Sequence, residues 1–148
     1  MYGNWPANLA VVAATGLAVA VAVLLHYEGL VLISRRLVHL EGRRRRKVLF
    51  VIAGVLALHV VEIWSFGITC WLVLLWPACG HVAGAPELHF LDAVYLSAMT
   101  YTTVGFGDLA PVGPIRFLTG TEALTGFVLI TWSASFTYLE MERYWRGR

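Results

Sequence analysis

Apolar side chains fall along this chain in long blocks rather than in alternation. Residues 9–25 are apolar apart from Thr15 and Gly16, and with 30–33 added the block is long enough to cross roughly 30 Å of hydrocarbon. A second block occupies 48–76, longer than a perpendicular crossing needs, so it is expected to tilt or to extend past the hydrocarbon. A third runs over 115–139. Between the second and third lies 90–99, apolar but too short to span; it predicts a helix of about three turns. Asp92 falls near its start, where a carboxylate suits the positive end of the helix dipole. Gly80, Gly84 and Pro86 break the chain before this helix, in an external loop over 77–89, and Pro111, Gly113 and Pro114 break it afterwards. A short helix followed by glycine-rich backbone between two spans is a re-entrant loop. A membrane tolerates one only where protein covers the backbone or the backbone lines a water-filled path.

Composition agrees. Hydrophobic residues make up 59% of the 148 and charged residues 14%, against roughly 25% charged in a soluble domain. The length leaves no room beside the spans for a ligand-sensing domain of ordinary size, about 100 residues or more. Seven of the eleven Lys and Arg residues lie in 35–47: Arg35, Arg36, and the run Arg43 to Lys47. They form a basic connection between the first two blocks. Cytoplasmic loops collect such residues, which places this connection inside, the N-terminus outside, and Arg143, Arg146 and Arg148 inside. The expected location is the cell membrane of a bacterium, crossed several times. Anionic lipid at Arg43 to Lys47 is a compatible partner; nucleic acid is not an expected one. The segment before residue 9 has no Lys or Arg, which argues against a cleaved signal peptide. Trp64, Trp71 and Trp76 gather toward the outer part of the second block, where an interfacial belt belongs. Cys70 and Cys79 read as two unpaired thiols; a disulfide is the other reading if the following loop is extracellular. His81 and His89 belong to that loop and read as solvated.

The chemistry concentrates in Thr102-Thr103-Val104-Gly105-Phe106-Gly107-Asp108. Glycines alternate with bulky residues, as they must where successive carbonyls all point one way and the backbone alternates in handedness. The side chains of Val104 and Phe106 then point away and pack on the pore helix. This stretch resembles the selectivity filter of tetrameric potassium channels, in which stacked carbonyl rings replace an ion's lost hydration. The resemblance implies K⁺ sites at the carbonyls of Thr103, Val104, Gly105 and Phe106, with the Thr103 hydroxyl contributing and Thr102 just before them. Phe106 stands where many members have Tyr. Asp108 matches the aspartate that hydrogen-bonds back to the pore helix, and its aromatic partner position falls on Tyr95. Met99 replaces a glutamate that some members carry behind the filter. In the last block, Arg116 and Gly126 keep the separation between an arginine and the hinge glycine of two-span channels. Gly126 is thus a candidate hinge, or a site of close helix packing. On the same register Phe127, Ile130, Ala134 and Tyr138 face the cavity and inner mouth, with Ile130 or Tyr138 as candidate gates.

The segments Glu62-Ile63-Trp64 and Ser133-Ala134-Ser135-Phe136-Thr137 are similar to those of small three-span bacterial members of the ion-channel family. The fold class this implies is an all-α membrane protein. Three transmembrane helices accompany a re-entrant pore helix and a selectivity filter. One chain supplies one pore loop and four must surround an ion, so a homotetramer is expected. Residues 1–47 would form an added N-terminal helix and basic loop. Residues 48–148 would form the pore module: outer helix 48–76, pore helix 90–101, filter 102–108, inner helix 115–139 and a short tail. The implied function is passive, potassium-selective conduction, with a nonselective cation channel or a non-conducting membrane subunit as alternatives. The unbroken filter argues against the nonselective reading.

Ionisable groups at membrane depth are functional candidates. Counted from Lys47, His59 falls near the midplane and Glu62 in the outer half, with Glu122 at a similar depth. Arg116 with Glu62 or Glu122 is the expected ion pair, anchoring the pore; proton sensing by His59 with Glu62 is the alternative. His59-x-x-Glu62 has the spacing of some metal bundles, but no second such pair exists in the chain, so no metal other than permeant K⁺ is expected, and no cofactor. No nucleophile, base and oxyanion donor share a motif, so the chain does not read as an enzyme. No span carries the regularly spaced arginines of a voltage sensor.

Overall fold

The computed structural model describes residues 3–39 and 44–145. Its main elements are helices α1 (Trp5–His39), α2 (Arg44–Leu74), α3 (Phe90–Tyr101) and α4 (Arg116–Trp145). A 3₁₀ turn at Pro77–Cys79 and two short strands, β1 (His81–Ala83) and β2 (Ala110–Val112), lie in the connections. Among the described residues, α1 and 45–74 are long and apolar enough to cross a membrane by length and composition. Helix α4 is 30 residues long, but Thr119, Glu122, Thr125 and Ser133 interrupt its apolar character.

Helix α1 runs past its apolar block at both ends, α2 starts four residues before its block but stops at Leu74, short of 76, α4 runs six residues past 139, and α3 covers 90–101. The basic connection is therefore much shorter than the sequence suggests. Arg35 and Arg36 lie in the last turns of α1, and 44–47 already belongs to α2; Lys and Arg are good helix formers, so a charged run need not be a loop. Arg43, at the start of the expected lipid contact, lies outside the described residues. Helix α4 continues past 139, where Arg143 Nη1 donates to Glu140 Oε1 at 3.0 Å, an i,i+3 pair that supports another turn. Arg146 and Arg148 lie outside the described residues.

Helix α1 is apolar all round, so hydropathy cannot say which face meets protein. Packing selects it. Ala7, Val11, Thr15, Ala18, Ala22, His26, Leu30, Ile33 and Leu37 are buried at intervals of three or four, forming one stripe against α2 and α4. Small residues permit close approach: a Cβ on Gly29 would lie 2.6 Å from Leu58, and one on Gly54 would lie 3.0 Å from Ile33. Gly67 does the same for α2 against α3, where a Cβ would sit 2.8 Å from Val94 Cα.

The mostly helical architecture carries one small addition. Strands β1 and β2 pair antiparallel, with His81 opposite Val112 and Ala83 opposite Ala110, so the loop after α2 is tied to the segment after the glycine-rich stretch. Ile115 N–H also donates to the Cys79 carbonyl at 2.9 Å. Strands of three residues containing a proline carry almost no sequence signal. Cys70 and Cys79 are free and buried in one apolar cluster with Leu96, Ile115 and Leu118, and burial pushes the Cys79 thiol up. Trp64 and Trp71 stack edge-on against Phe90, at 5.9 and 5.7 Å between ring centroids, and so seat the first turn of α3.

Candidate functional site

Helix α3 starts at His89, whose N–H bonds Asp92 Oδ2 at 3.0 Å in a capping box. It ends at Thr102, whose hydroxyl donates to the Ala98 carbonyl at 2.6 Å. The chain then turns back: Thr103 N–H reaches the Thr100 carbonyl at 2.9 Å and Gly105 N–H reaches Met99 at 3.1 Å. Positive φ recurs at every second residue, +59° at Thr103, +53° at Gly105 and +82° at Gly107. That is the alternating handedness read from the glycine spacing, begun one step earlier by a threonine. Left-handed backbone at a residue with a Cβ costs about 1–2 kcal/mol, so Thr103 is a strained position where strain is expected to serve a function. A Cβ on Gly105 or Gly107 would meet nothing within 4 Å; dihedral angle, not space, selects glycine there.

The expectation for Val104 and Phe106 needs correction. These residues are 54% and 71% exposed, so α3 of the same chain leaves them largely uncovered. Phe106 and Met99 border a space of about 190 Å³ between α3 and the glycine-rich segment. Across it, the Tyr95 hydroxyl donates to Asp108 Oδ2 at 2.9 Å.

Behind the C-terminal end of α3 lies a buried polar cluster. Glu62 is fully buried, and its carboxylate meets His26 Nδ1 at 2.8 Å, His59 Nδ1 at 3.0 Å and the Tyr101 hydroxyl. The Tyr101 hydroxyl is also 3.0 Å from His59 Nδ1, and His26 Nε2 lies 3.4 Å from Ser133 Oγ. The expected ion pair is therefore corrected: Glu62 is held by histidines and a tyrosine, whereas Arg116 is exposed and makes no ion pair among the described residues. Arg116 opens α4, whereas both glutamates are buried. Glu122 is buried too, with Oε1 in hydrogen-bond distance of Ser97 Oγ and Oε2 without a partner among the described residues. Ser97 Oγ also lies 2.7 Å from the Ile63 carbonyl, joining α2, α3 and α4.

Sequence reading passed over His26, which follows the first apolar run. It packs on Trp132 and His59 with ring centroids 5.1 and 5.5 Å apart. A lone histidine in an apolar block was the available signal; its partner is 36 positions away. Gly126 lies where α4 crosses the end of α3: a Cβ there would fall 2.1 Å from the Tyr101 carbonyl. The visible role of this glycine is close approach, and α4 runs through it unbroken. Phe127, Ile130, Ala134 and Tyr138 are exposed on α4. The last three border a groove of about 440 Å³ that His59 also lines.

A family described as "Ion channel" matches residues 47–141. The chain belongs to this ion channel family. The membership agrees with the resemblance of 102–108 to the pore-loop potassium channels, and the family is not one of enzymes. The chain is 38% identical over 67 residues to Protein LctB of Geobacillus stearothermophilus, covering 45% of this chain and 50% of that protein. It is 38% identical over 72 residues to the inward rectifier potassium channel Kirbac3.1 of Paramagnetospirillum magnetotacticum, covering 47% of this chain and 24% of that one. It is also 45% identical over 38 residues to Protein LctB of Bacillus caldotenax, 26% of this chain and 28% of that protein. The chain thus spans half or less of the length of these curated relatives. No solved structure matches it.

Proposed function

We propose that four copies of this chain surround a pore that conducts K⁺ selectively and passively. The observation that carries this reading is the alternation of positive φ at Thr103, Gly105 and Gly107 at the end of a short helix. Alternating handedness turns successive carbonyls to one side, where rings from four copies would replace a cation's hydration. The K⁺ sites would use the carbonyls of Thr103, Val104, Gly105 and Phe106 with the Thr103 hydroxyl. Tyr95 and Asp108 would brace the filter from outside. The negative end of α3 would favour a cation in the cavity below.

The exposure of Val104 and Phe106 supports assembly: apolar side chains at this density on one face call for a neighbour. In the proposed assembly α1, α2 and α4 all span, with the N-terminus outside. The basic helix ends between α1 and α2 sit at the cytoplasmic surface, where Arg43 to Lys47 would meet anionic lipid. Phe127, Ile130, Ala134 and Tyr138 would line the cavity and inner mouth, with Ile130 or Tyr138 constricting it and Gly126 allowing α4 to bend.

Purified protein in liposomes tests the proposal directly. Valinomycin-independent ⁸⁶Rb⁺ uptake is expected, with reversal potentials following the K⁺ gradient rather than Na⁺. Equal permeation of Na⁺ would reject selectivity, and absence of any flux would reject conduction.

A further inference from the structure

We infer that His26, His59 and Glu62 form a binding site for a borderline divalent transition-metal ion of the Zn²⁺ class. The sequence offers only the His59-x-x-Glu62 pair on α2; the fold brings the missing third ligand from α1. One donor atom from each residue lies within 4.8 Å of the other two. Tetrahedral zinc holds nitrogen and oxygen ligands at about 2.0–2.2 Å, which sets ligand atoms about 3.3 Å apart. His26 Nδ1 and His59 Nδ1 stand 2.8 and 3.0 Å from the Glu62 oxygens. An outward step of a few tenths of an ångström by each ring makes room for the ion.

The donor set also chooses among metals. Two imidazoles and one carboxylate suit Zn²⁺ and its neighbours, whereas Ca²⁺ and Mg²⁺ need a shell of six or more oxygens. Binding through Nδ1 moves each imidazole N–H to Nε2, and for His26 the Ser133 hydroxyl lies 3.4 Å from that atom to receive it. A polar partner on the far nitrogen is what fixes a metal-bound histidine. Tyr101 closes a fourth side through its contacts with His59 and Glu62. The carboxylate offsets one of the two charges of the ion. Side-chain exposure is 0% for His26 and Glu62 and 14% for His59. His59 opens on the groove between α2 and α4, beside Ile130 and Ala134, which is the path for an arriving ion.

The test uses the full chain in detergent, stripped with a chelator and titrated with Co²⁺ and then Zn²⁺. One Co²⁺ per chain is expected, with the intense visible bands of a tetrahedral site, bleached by Zn²⁺. H26Q and H59Q should each weaken binding at least about tenfold, since loss of even an outer-shell partner has that effect. The double variant H81Q/H89Q should bind as the parent does. No tetrahedral spectrum, unchanged binding in H26Q and H59Q, or loss in H81Q/H89Q would overturn the inference. If the His variants fail to fold, zinc-edge X-ray absorption of the unmodified protein decides. Two imidazoles with an oxygen support the site; sulfur, or a water-only shell, rejects it.

Discussion

Two regions meet at the end of α3 and solve the problem of polar groups in a membrane in opposite ways. From Thr102 to Asp108 the chain turns backbone outward, exposed at every residue, with strained dihedrals at Thr103 and room beside each glycine. One residue earlier, Tyr101 is fully buried and joins a cluster whose carboxylate has three partners inside the same chain. The first region has few partners within the chain. The second draws its hydrogen-bond partners from three helices of the same chain. Polar groups that pair within the chain hold its helices together, whereas open backbone must find its partners in water or in other protein.

The sharpest way to break this contrast is Gly105→Ala. An alanine held at φ +53° carries about 1–2 kcal/mol of strain at each copy, and no packing is disturbed. Flux of ⁸⁶Rb⁺ should fall to background while the thermal midpoint drops only a few degrees; a variant that conducts normally would show that the alternation is not what carries ions. Glu62→Gln attacks the other side. A carboxamide cannot accept from two histidines and a tyrosine at once, and breaking a buried pair costs about 3–5 kcal/mol. The thermal midpoint in detergent should drop on the order of 10 °C, and an unshifted midpoint would mean the cluster does not hold the helices. The same variant tests proton sensing by His59 with Glu62, because unchanged pH dependence of flux would reject it.

Gly126→Ala probes the contact between the two regions. Its Cβ would meet the Tyr101 carbonyl at 2.1 Å, an overpacking worth about 1–3 kcal/mol. Both midpoint and flux should fall, since the displaced residue directly precedes Thr102. If flux falls and the midpoint holds, bending at this glycine matters more than its packing. The smallest effect belongs to Tyr95→Phe. Removing an exposed hydrogen bond that exchanges with water should change flux by no more than about threefold, and a collapse of selectivity would place the filter's brace here.

The open region was far more legible than the closed one. Residues 102–108 announce their backbone through glycine spacing, and Phe90 to Tyr101 is a short apolar segment between clear breakers, so both were placed within the chain's own local rules. The cluster depends on contacts across 36 and 39 positions, which no local period encodes. His26 looked incidental because α1 is apolar on every face, and only close packing through Gly29 and Gly54 turns that histidine toward Glu62. Arg116 misled for the converse reason. Similar depth in the membrane is not proximity, because the azimuth of each helix is set by packing. Helix ends were misjudged where charge was taken as the limit of a helix rather than of its apolar part.

The ladder between β1 and β2 has a mechanical consequence. It clamps the outer end of α4 to the loop after α2, and the Tyr101 carbonyl grips the same helix again at Gly126. Between these two points α4 has no freedom to swing. Below Gly126 the helix runs on to Trp145, roughly 28 Å at about 1.5 Å per residue, and Leu129, Trp132 and Ser133 hold it against α1. A tilt of about 10° at that fulcrum would carry its tip about 5 Å on the same rise per residue, and α1, packed along the same stretch, would have to move with it.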